Sequence, residues 1–261
     1  MAQKIAVLSQ KGGTGKTTAV RTLADVFRRT GLDVLAVDLD PQGNLSDYFD
    51  VDPEATPTVG DVLSGSARAR DAVHDGVIPA NLSLAEAELS MAGKMGRELI
   101  LRKALKDADA DHDIILVDCP PALGLLTVNA LVAADWALLS AEAQYFALQG
   151  VEQALQVIEL ARDGLNPDLQ LLGVLFNIAD MRTVHSREAY DSLREHVGDK
   201  LLDTVVRQSI AYAESAERAV SILDHRPDLG DDYVQLASEL LGRLGLTSAP
   251  RAAHSSRTSA P

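Results

Sequence analysis

The chain has 261 residues and a formal net charge of −14, with 46% apolar residues and only 4% aromatic ones. That length suits one α/β domain able to bury a large core unaided, and a core of Ala, Val, Leu and Ile suits parallel strands covered by helices. The acidic balance excludes a protein that coats DNA with its whole surface, so any nucleic-acid contact must be a local patch. A single cysteine, Cys119, excludes a disulfide framework and a multi-cysteine metal site.

Taken in chain order, Lys4 to Ser9 is a short apolar run ended by a Gly-rich loop and reads as a buried strand. A helical pattern follows from Lys16 to Arg29 and stops at Gly31. Asp33 to Val37 is a second buried strand. Residues 41–60 hold three prolines and two glycines, so they read as loop with short helices at most. Leu82 to Ala85 reads as a short strand and 88–108 as a helix. Ile114 to Val117 is a third buried strand, followed by a helix over Leu123 to Ala134, a strand over Trp136 to Leu139 and a helix over Phe146 to Arg162. Leu171 to Phe176 is a strand, Val184 to Val197 a helix, Thr204 to Val206 a short strand and Gly230 to Leu244 a final helix. Strand and helix alternate throughout, which predicts an α/β fold with one doubly wound, mostly parallel sheet flanked by helices. The expected domain spans 1–247. From 248 to 261 the composition turns to Ser, Ala, Pro, Arg and His, which reads as a disordered tail.

No apolar run approaches the ~20 residues that span a bilayer. Met-Ala-Gln-Lys leads directly into a strand, so no signal peptide is expected. A reducing cytoplasm is the expected location, and no membrane partner is expected.

Residues 11–18 read Lys-Gly-Gly-Thr-Gly-Lys-Thr-Thr, between a predicted strand and a predicted helix. That is the context of a phosphate loop. Gly12, Gly13 and Gly15 let the backbone turn its N–H groups inward, and the helix start near Lys16 adds a positive dipole end. Lys16 reaches the β- and γ-phosphates of a nucleotide, while the Thr17 hydroxyl ligates Mg²⁺. Thr14 and Thr18 complete the nucleotide-contacting loop. Lys11 is a second cation that a plain phosphate loop does not require, and it points to charge compensation beyond one nucleotide's own site.

Two acidic groupings follow. Asp38 and Asp40 flank Leu39 at the end of the second strand, where residues two apart share a face. One carboxylate there can support the metal shell while the other orients water. Asp118 ends an apolar strand before Pro-Pro, the placement that holds Mg²⁺ through water. Cys119 beside it reads as a small buried filler.

KGGTGKTT at 11–18, VDLDPQGN at 37–44 and VDCPPALG at 117–124 together resemble the ParA branch of the deviant Walker A P-loop ATPases. The resemblance covers residues 4 to about 245. It implies an ATPase that needs ATP and Mg²⁺, forms a homodimer around ATP, binds DNA without sequence preference and segregates plasmid or chromosome DNA. It also implies an activating ParB-like partner with a basic N-terminal segment, and a nucleoid-associated location where DNA binding holds. By the same resemblance Lys11 crosses the dimer to the partner's nucleotide and shares a catalytic role with Lys16. Asp40 is tied to water activation, Asp38 to the metal, and Asn177 to recognition of adenine. The family's second base contact, in a Pro-Arg-Asn segment, matches Val-Arg-Gln-Ser at 206–209 and so falls on Arg207. Arg182, in Asp-Met-Arg-Thr, matches a family arginine that contacts DNA, with Arg207 and Arg218 as helpers. A further family arginine is replaced by Ala211.

The alternatives are a ParA-like positioner of a cargo other than DNA, such as a chemoreceptor array or microcompartment, and a MinD-like membrane switch. The second needs an amphipathic C-terminal helix that SAPRAAHSSRTSAP does not provide.

Overall fold

In the computed structural model, residues 1–143 and 147–246 are described. The strands are β1 (Gln3–Leu8), β2 (Val34–Asp38), β3 (Val77–Ile78), β4 (Ile114–Asp118), β5 (Trp136–Glu142), β6 (Gln170–Ala179) and β7 (Leu201–Arg207). They form one sheet in the order β3-β2-β4-β1-β5-β6-β7. Among the described residues every strand pairing in it is parallel. The expected doubly wound α/β sheet is therefore present, and parallel throughout rather than mostly.

The helices are α1 (Lys16–Arg29), α2 (Asn44–Tyr48), α3 (Val59–Ser64), α4 (Ser83–Ala92), α5 (Ile100–Ala104), α6 (Leu125–Ala133), α7 (Ala147–Gly164), α8 (Val184–Val197), α9 (Ala211–Glu217), α10 (Ile222–His225) and α11 (Pro227–Arg243). They cover both sheet faces. Alternate strand residues point to opposite faces. Ile5, Val7, Val34, Ala36, Ile114 and Leu116 accordingly pack with α1, α10 and α11. Ala6, Leu8, Leu35, Val37, Ile115 and Val117 pack under α3 to α8. A strand buried on both faces must be apolar at every position, which is why these runs show no alternation. Truncating one of the central residues, such as the fully buried Leu116, to alanine costs about 2–5 kcal/mol.

Two expectations are corrected, and a third holds. Leu82 to Ala85 is not a strand: the short edge strand is Val77–Ile78, paired with Ala36 and Val37 of β2, and residues 83–92 form α4. The helix expected over 88–108 is broken after Ala92 by Gly93 and by Gly96, whose φ of +68° cannot continue a right-handed helix. Residues 41–60 hold α2 and the start of α3, the latter begun by a capping box between Thr58 and Asp61. Residue 146, the expected start of α7, and the tail 248–261 lie outside the described residues.

β1 lies between β4 and β5, so the chain winds in opposite directions on its two sides. Open α/β sheets bind ligands at the carboxyl ends of strands at such a switch point. The loops after β1, β2 and β4 meet there.

Candidate functional site

β1 ends at Leu8 and α1 begins at Lys16, with the Gly-rich loop between them. Gly15 occupies the N-cap of α1 at φ +76°, and a Cβ on it would lie 2.6 Å from Asn177 Nδ2, so glycine alone fits. No side chain caps α1, and its first turn holds no acid. Its first N–H groups thus remain donors for an anion, reinforced by the helix dipole. Lys16 is buried, and its Nζ donates to Ser9 Oγ at 2.9 Å and to the Lys11 carbonyl at 3.4 Å. Both acceptors are neutral. Burial pushes the ammonium's pKa down, and the nearby Asp118 charge pulls it back up. A phosphate is the counter-charge such a group favours. Thr14 Oγ1 also donates to Ser9 Oγ at 2.9 Å, which fixes the loop from within.

The carboxylates follow from parity. Asp38 and Asp118 are the last residues of β2 and β4, in direct register, and both fall on the face that packs α1. Thr17, in the first turn of α1, therefore meets Asp118: its Oγ1 donates to Asp118 Oδ2 at 2.7 Å. Asp38 Oδ2 accepts from Ser46 N at 2.9 Å and Ser46 Oγ at 2.8 Å. Burial raises Asp38 to a pKa of about 6, partly offset by the Ser46 bonds. Burial raises Asp118 to about 8, with the adjacent Asp38 charge adding to it and the Thr17 hydroxyl opposing it. Asp118 Oδ1 is buried with no hydrogen-bond partner. A buried orphan oxygen costs roughly 1–3 kcal/mol.

A divalent cation meets each of these features. It would take the orphan oxygen and offset two like charges, and the Thr17 hydroxyl stands beside it. Among the described residues no group of three or more His, Cys, Asp or Glu side chains is placed to hold a metal. Two carboxylates and one hydroxyl suit Mg²⁺, which keeps waters and phosphate oxygens in its shell rather than an all-protein cage.

Asp40 is placed differently from the expectation. β2 ends at Asp38, so the shared strand face does not reach Asp40. It lies in the following turn, where its N–H donates to Asp38 Oδ1 at 3.1 Å and its own Oδ1 accepts from Gln42 N at 3.0 Å. It is half-buried, at the mouth of the same crevice. Lys11, Gly12 and Gly13 are exposed on the outer turn of the loop, and Thr18 is half-buried in α1.

On the other side of β1 the predicted residues are turned to other tasks. Asn177 is buried, and its Nδ2 donates to the Thr14 carbonyl at 3.0 Å and to Ser140 Oγ at 3.2 Å. Its Oδ1 accepts from Ile178 N at 2.9 Å. The amide expected to read adenine thus braces the phosphate loop from β6, with both of its ends engaged. Ile178, next to it, has φ +53°, an unusual conformation for a β-branched residue and a mark of local constraint. Arg207 Nε donates to Asp232 Oδ2 at 2.9 Å, so its guanidinium faces α11 rather than a base. Arg182 is 90% exposed and pairs bidentately with Asp180. Arg218 is exposed at the end of α9. Ala211 is only 3% exposed and packs in the core, so an arginine at this position would have to be buried.

Sequence reasoning passed over Ser9, Ser46 and Ser140. The hydroxyl of Ser140 donates to the Thr14 carbonyl at 2.7 Å, and that of Ser46 also accepts from Ala80 N at 2.9 Å. These serines orient the loop and Asp38 from outside any motif, and nothing in their spacing marks them.

A glycine-built phosphate loop, a buried lysine and a threonine on a strand-end aspartate define a P-loop ATPase. Among the described residues no helix is long and apolar enough to cross a membrane. A family model described as an AAA domain matches residues 2–171. The chain is 38% identical to the chromosome-partitioning ATPase Soj of Thermus thermophilus, covering 93% of this chain and 96% of that one. It is 34% identical to the sporulation initiation inhibitor protein Soj of Bacillus subtilis, covering 92% and 98%. A structure titled cobyrinic acid a,c-diamide synthase from Mycobacterium smegmatis, with bound ATP analog and magnesium, superposes with a TM-score of 0.82 at 33% identity, covering 94% of this chain and 96% of that one. The chain belongs to the AAA-domain family and, within it, to the Soj/ParA chromosome-partitioning ATPases.

Proposed function

We propose that this chain is an ATP-driven dimerisation switch that segregates DNA. The observation that carries it is the Thr17–Asp118 contact beneath the phosphate loop, with the orphan Asp118 Oδ1 and the in-register Asp38 beside it. ATP lies along residues 11–18, its phosphates on the open N–H groups of α1 and on Lys16. Mg²⁺ supplies charge compensation for the phosphates and the two carboxylates. Thr17, Asp38 and Asp118 hold it, with Ser46 fixing Asp38. Asp40 orients the attacking water and accepts its proton. Asn177 keeps the loop in shape, and reaches adenine only by giving up its bond to Thr14.

Two protomers close on the loop face, where Lys11 is exposed, and Lys11 of each compensates charge on the other's nucleotide. The closed dimer binds DNA without sequence preference through Arg182 and Arg218, with Arg207 released from Asp232, and a ParB-like partner with a basic segment stimulates hydrolysis. The protein works in the cytoplasm, on the nucleoid. A cargo other than DNA is the second reading, and Arg207 tied to Asp232 together with the inward-facing Ala211 favours it.

Sedimentation with ATP, ADP and no nucleotide tests the switch. Wild type is expected to dimerise with ATP alone, and Lys11→Ala to bind ATP yet stay monomeric. A Lys11→Ala protein that dimerises and turns over as wild type does would remove the cross-dimer role.

A further inference from the structure

Asp38 is tied to a distant part of the chain through a short helix. α2 runs only from Asn44 to Tyr48. So few residues cannot hold a helix in water by their own hydrogen bonds, so tertiary ties set where α2 sits. Its side chains are tied in two directions. Ser46 gives its N–H and its hydroxyl to Asp38 Oδ2 and accepts from Ala80 N. Tyr48, two residues on, is 1% exposed, and its phenol shares a hydrogen bond with the hydroxyl of Ser215, fully buried on α9. A buried phenol takes such a partner because leaving it unpaired is costly.

Arg21 completes the clamp. It follows Thr17 by four residues on α1 and so lies on the same side of that helix. Its Nε donates to the Tyr48 carbonyl at 3.1 Å, and its guanidinium lies 4.3 Å from the centre of the Phe49 ring and 5.4 Å from that of Tyr48. α2 is thus held between α1 and α9 while it holds Asp38. α9 is itself only seven residues long. Ala211 and Ser215, four apart, form its buried side. Arg207 precedes it at the end of β7, and Arg218 stands exposed at its own end. Asp38, Ser46, Tyr48 and Ser215 therefore join the metal crevice to the helix that lies between these two arginines in the chain.

We propose that Tyr48 and Ser215 are positioning residues for the Mg²⁺–ATP site: their hydrogen bond seats α2 so that Ser46 holds Asp38, and it passes the state of that site to α9. Both act through Ser46 and not on the nucleotide. A helix this short moves as a unit, so a shift of α9 displaces Ser46, and a cation that draws on Asp38 pulls on Ser215. Such a coupling runs equally in both directions, and a cycle of single and double substitutions measures it. This role rests on the reading of Asp38 as a support of Mg²⁺.

The test measures ATP binding by calorimetry in Mg²⁺ and in EDTA, with thermal melting alongside, for the full chain and for Tyr48→Phe, Ser215→Ala and the two combined. The control is Tyr190→Phe on α8, which removes a tyrosine hydroxyl that accepts from Arg194 Nη2 at 2.8 Å. Each single variant at the α2–α9 bond leaves a buried hydroxyl without its partner and is expected to melt lower. The double variant removes both and is expected to melt near wild type. All three are expected to keep the EDTA affinity and to lose most of the roughly tenfold gain that Mg²⁺ gives wild type, while Tyr190→Phe keeps that gain. Hydrogen exchange over residues 211–217 is expected to slow with Mg²⁺–ATP in wild type and not in Tyr48→Phe. A double variant that recovers the Mg²⁺ gain together with its stability makes the bond structural only and overturns the positioning role. Exchange that responds in Tyr48→Phe as it does in wild type overturns the link to α9. Absence of any Mg²⁺ gain in wild type removes the metal reading and this role with it, whereas an undiminished gain in the variants removes the role alone.

Discussion

The two sides of β1 were built by different constraints. On the side of β2 and β4, Thr17 is hydrogen-bonded to Asp118, and Asp38, in register with Asp118, is held by Ser46, each at a strand end or helix start. On the side of β5, β6 and β7, Asn177 is turned onto the phosphate loop, and Arg182 and Arg207 are each held by an aspartate. The first side has backbone register to align it, so its geometry is complete within one protomer. The second relies on exposed side chains whose partners are local acids, and its groups must be released before they meet a ligand. Chemistry on the first side should therefore be lost sharply on substitution, and contacts on the second side should weaken by degrees.

The largest expected effect lies at Asp40. Asp40→Ala should bind ATP normally yet lower phosphate release roughly 10²–10⁴-fold, the range for loss of a positioned general base, and its dimers should accumulate with ATP and Mg²⁺. Wild-type turnover in that variant would move water activation elsewhere in the crevice.

A second effect is a gain. The ligand-free fold favours protonated Asp118, since its pKa is raised to about 8 against about 4 for an unfolded aspartate. Stability from this group is therefore fully present below about pH 4 and is lost as pH rises toward 8. Asp118→Asn keeps the shape and removes the charge. Without nucleotide it should melt above wild type at pH 8, by on the order of 1–3 kcal/mol, with the gap closing by pH 5. Parallel melting curves at all pH values would show that Asp118 does not carry the buried charge assigned to it.

The smallest effects belong to the arginines. Arg182→Glu should weaken retention of mixed-sequence DNA by the ATP-bound protein about tenfold at low salt, with steep loss as salt rises. Arg207→Ala should do less, because Asp232 already neutralises it. Equal retention with ADP and ATP would separate DNA binding from the switch.

The fold was legible because its strands are buried on both faces. Such runs as Ile114 to Val117 must be wholly apolar, and the glycines and prolines between them mark the turns. The phosphate loop and Asp118 were legible because their chemistry is fixed by backbone geometry at a strand end. Its spacing marks Asp40 but places it on the strand face of Asp38, whereas the strand stops at Asp38 and Asp40 lies in the turn. The direction of Asn177 was not legible: its partner, the Thr14 carbonyl, lies 163 residues away. Nor were Ser46, which holds Asp38 through its N–H and hydroxyl while accepting from Ala80 N, and Ser140, which bridges Asn177 and the Thr14 carbonyl, because no motif marks either serine. The short-strand reading of Leu82 to Ala85 fails because the segment opens a helix over 83–92 in which Leu82 faces solvent and Leu84 the core.

The central claim is that the phosphate loop and the strand-end carboxylates act as one Mg²⁺–ATP site, and titration calorimetry of ATP in Mg²⁺ and in EDTA tests it directly. Wild type should bind ATP about tenfold or more tightly with Mg²⁺, while Thr17→Ala and Asp118→Asn should lose that gain and keep the EDTA affinity. Equal affinity in Mg²⁺ and EDTA for wild type, or an undiminished gain in both variants, would contradict the assignment.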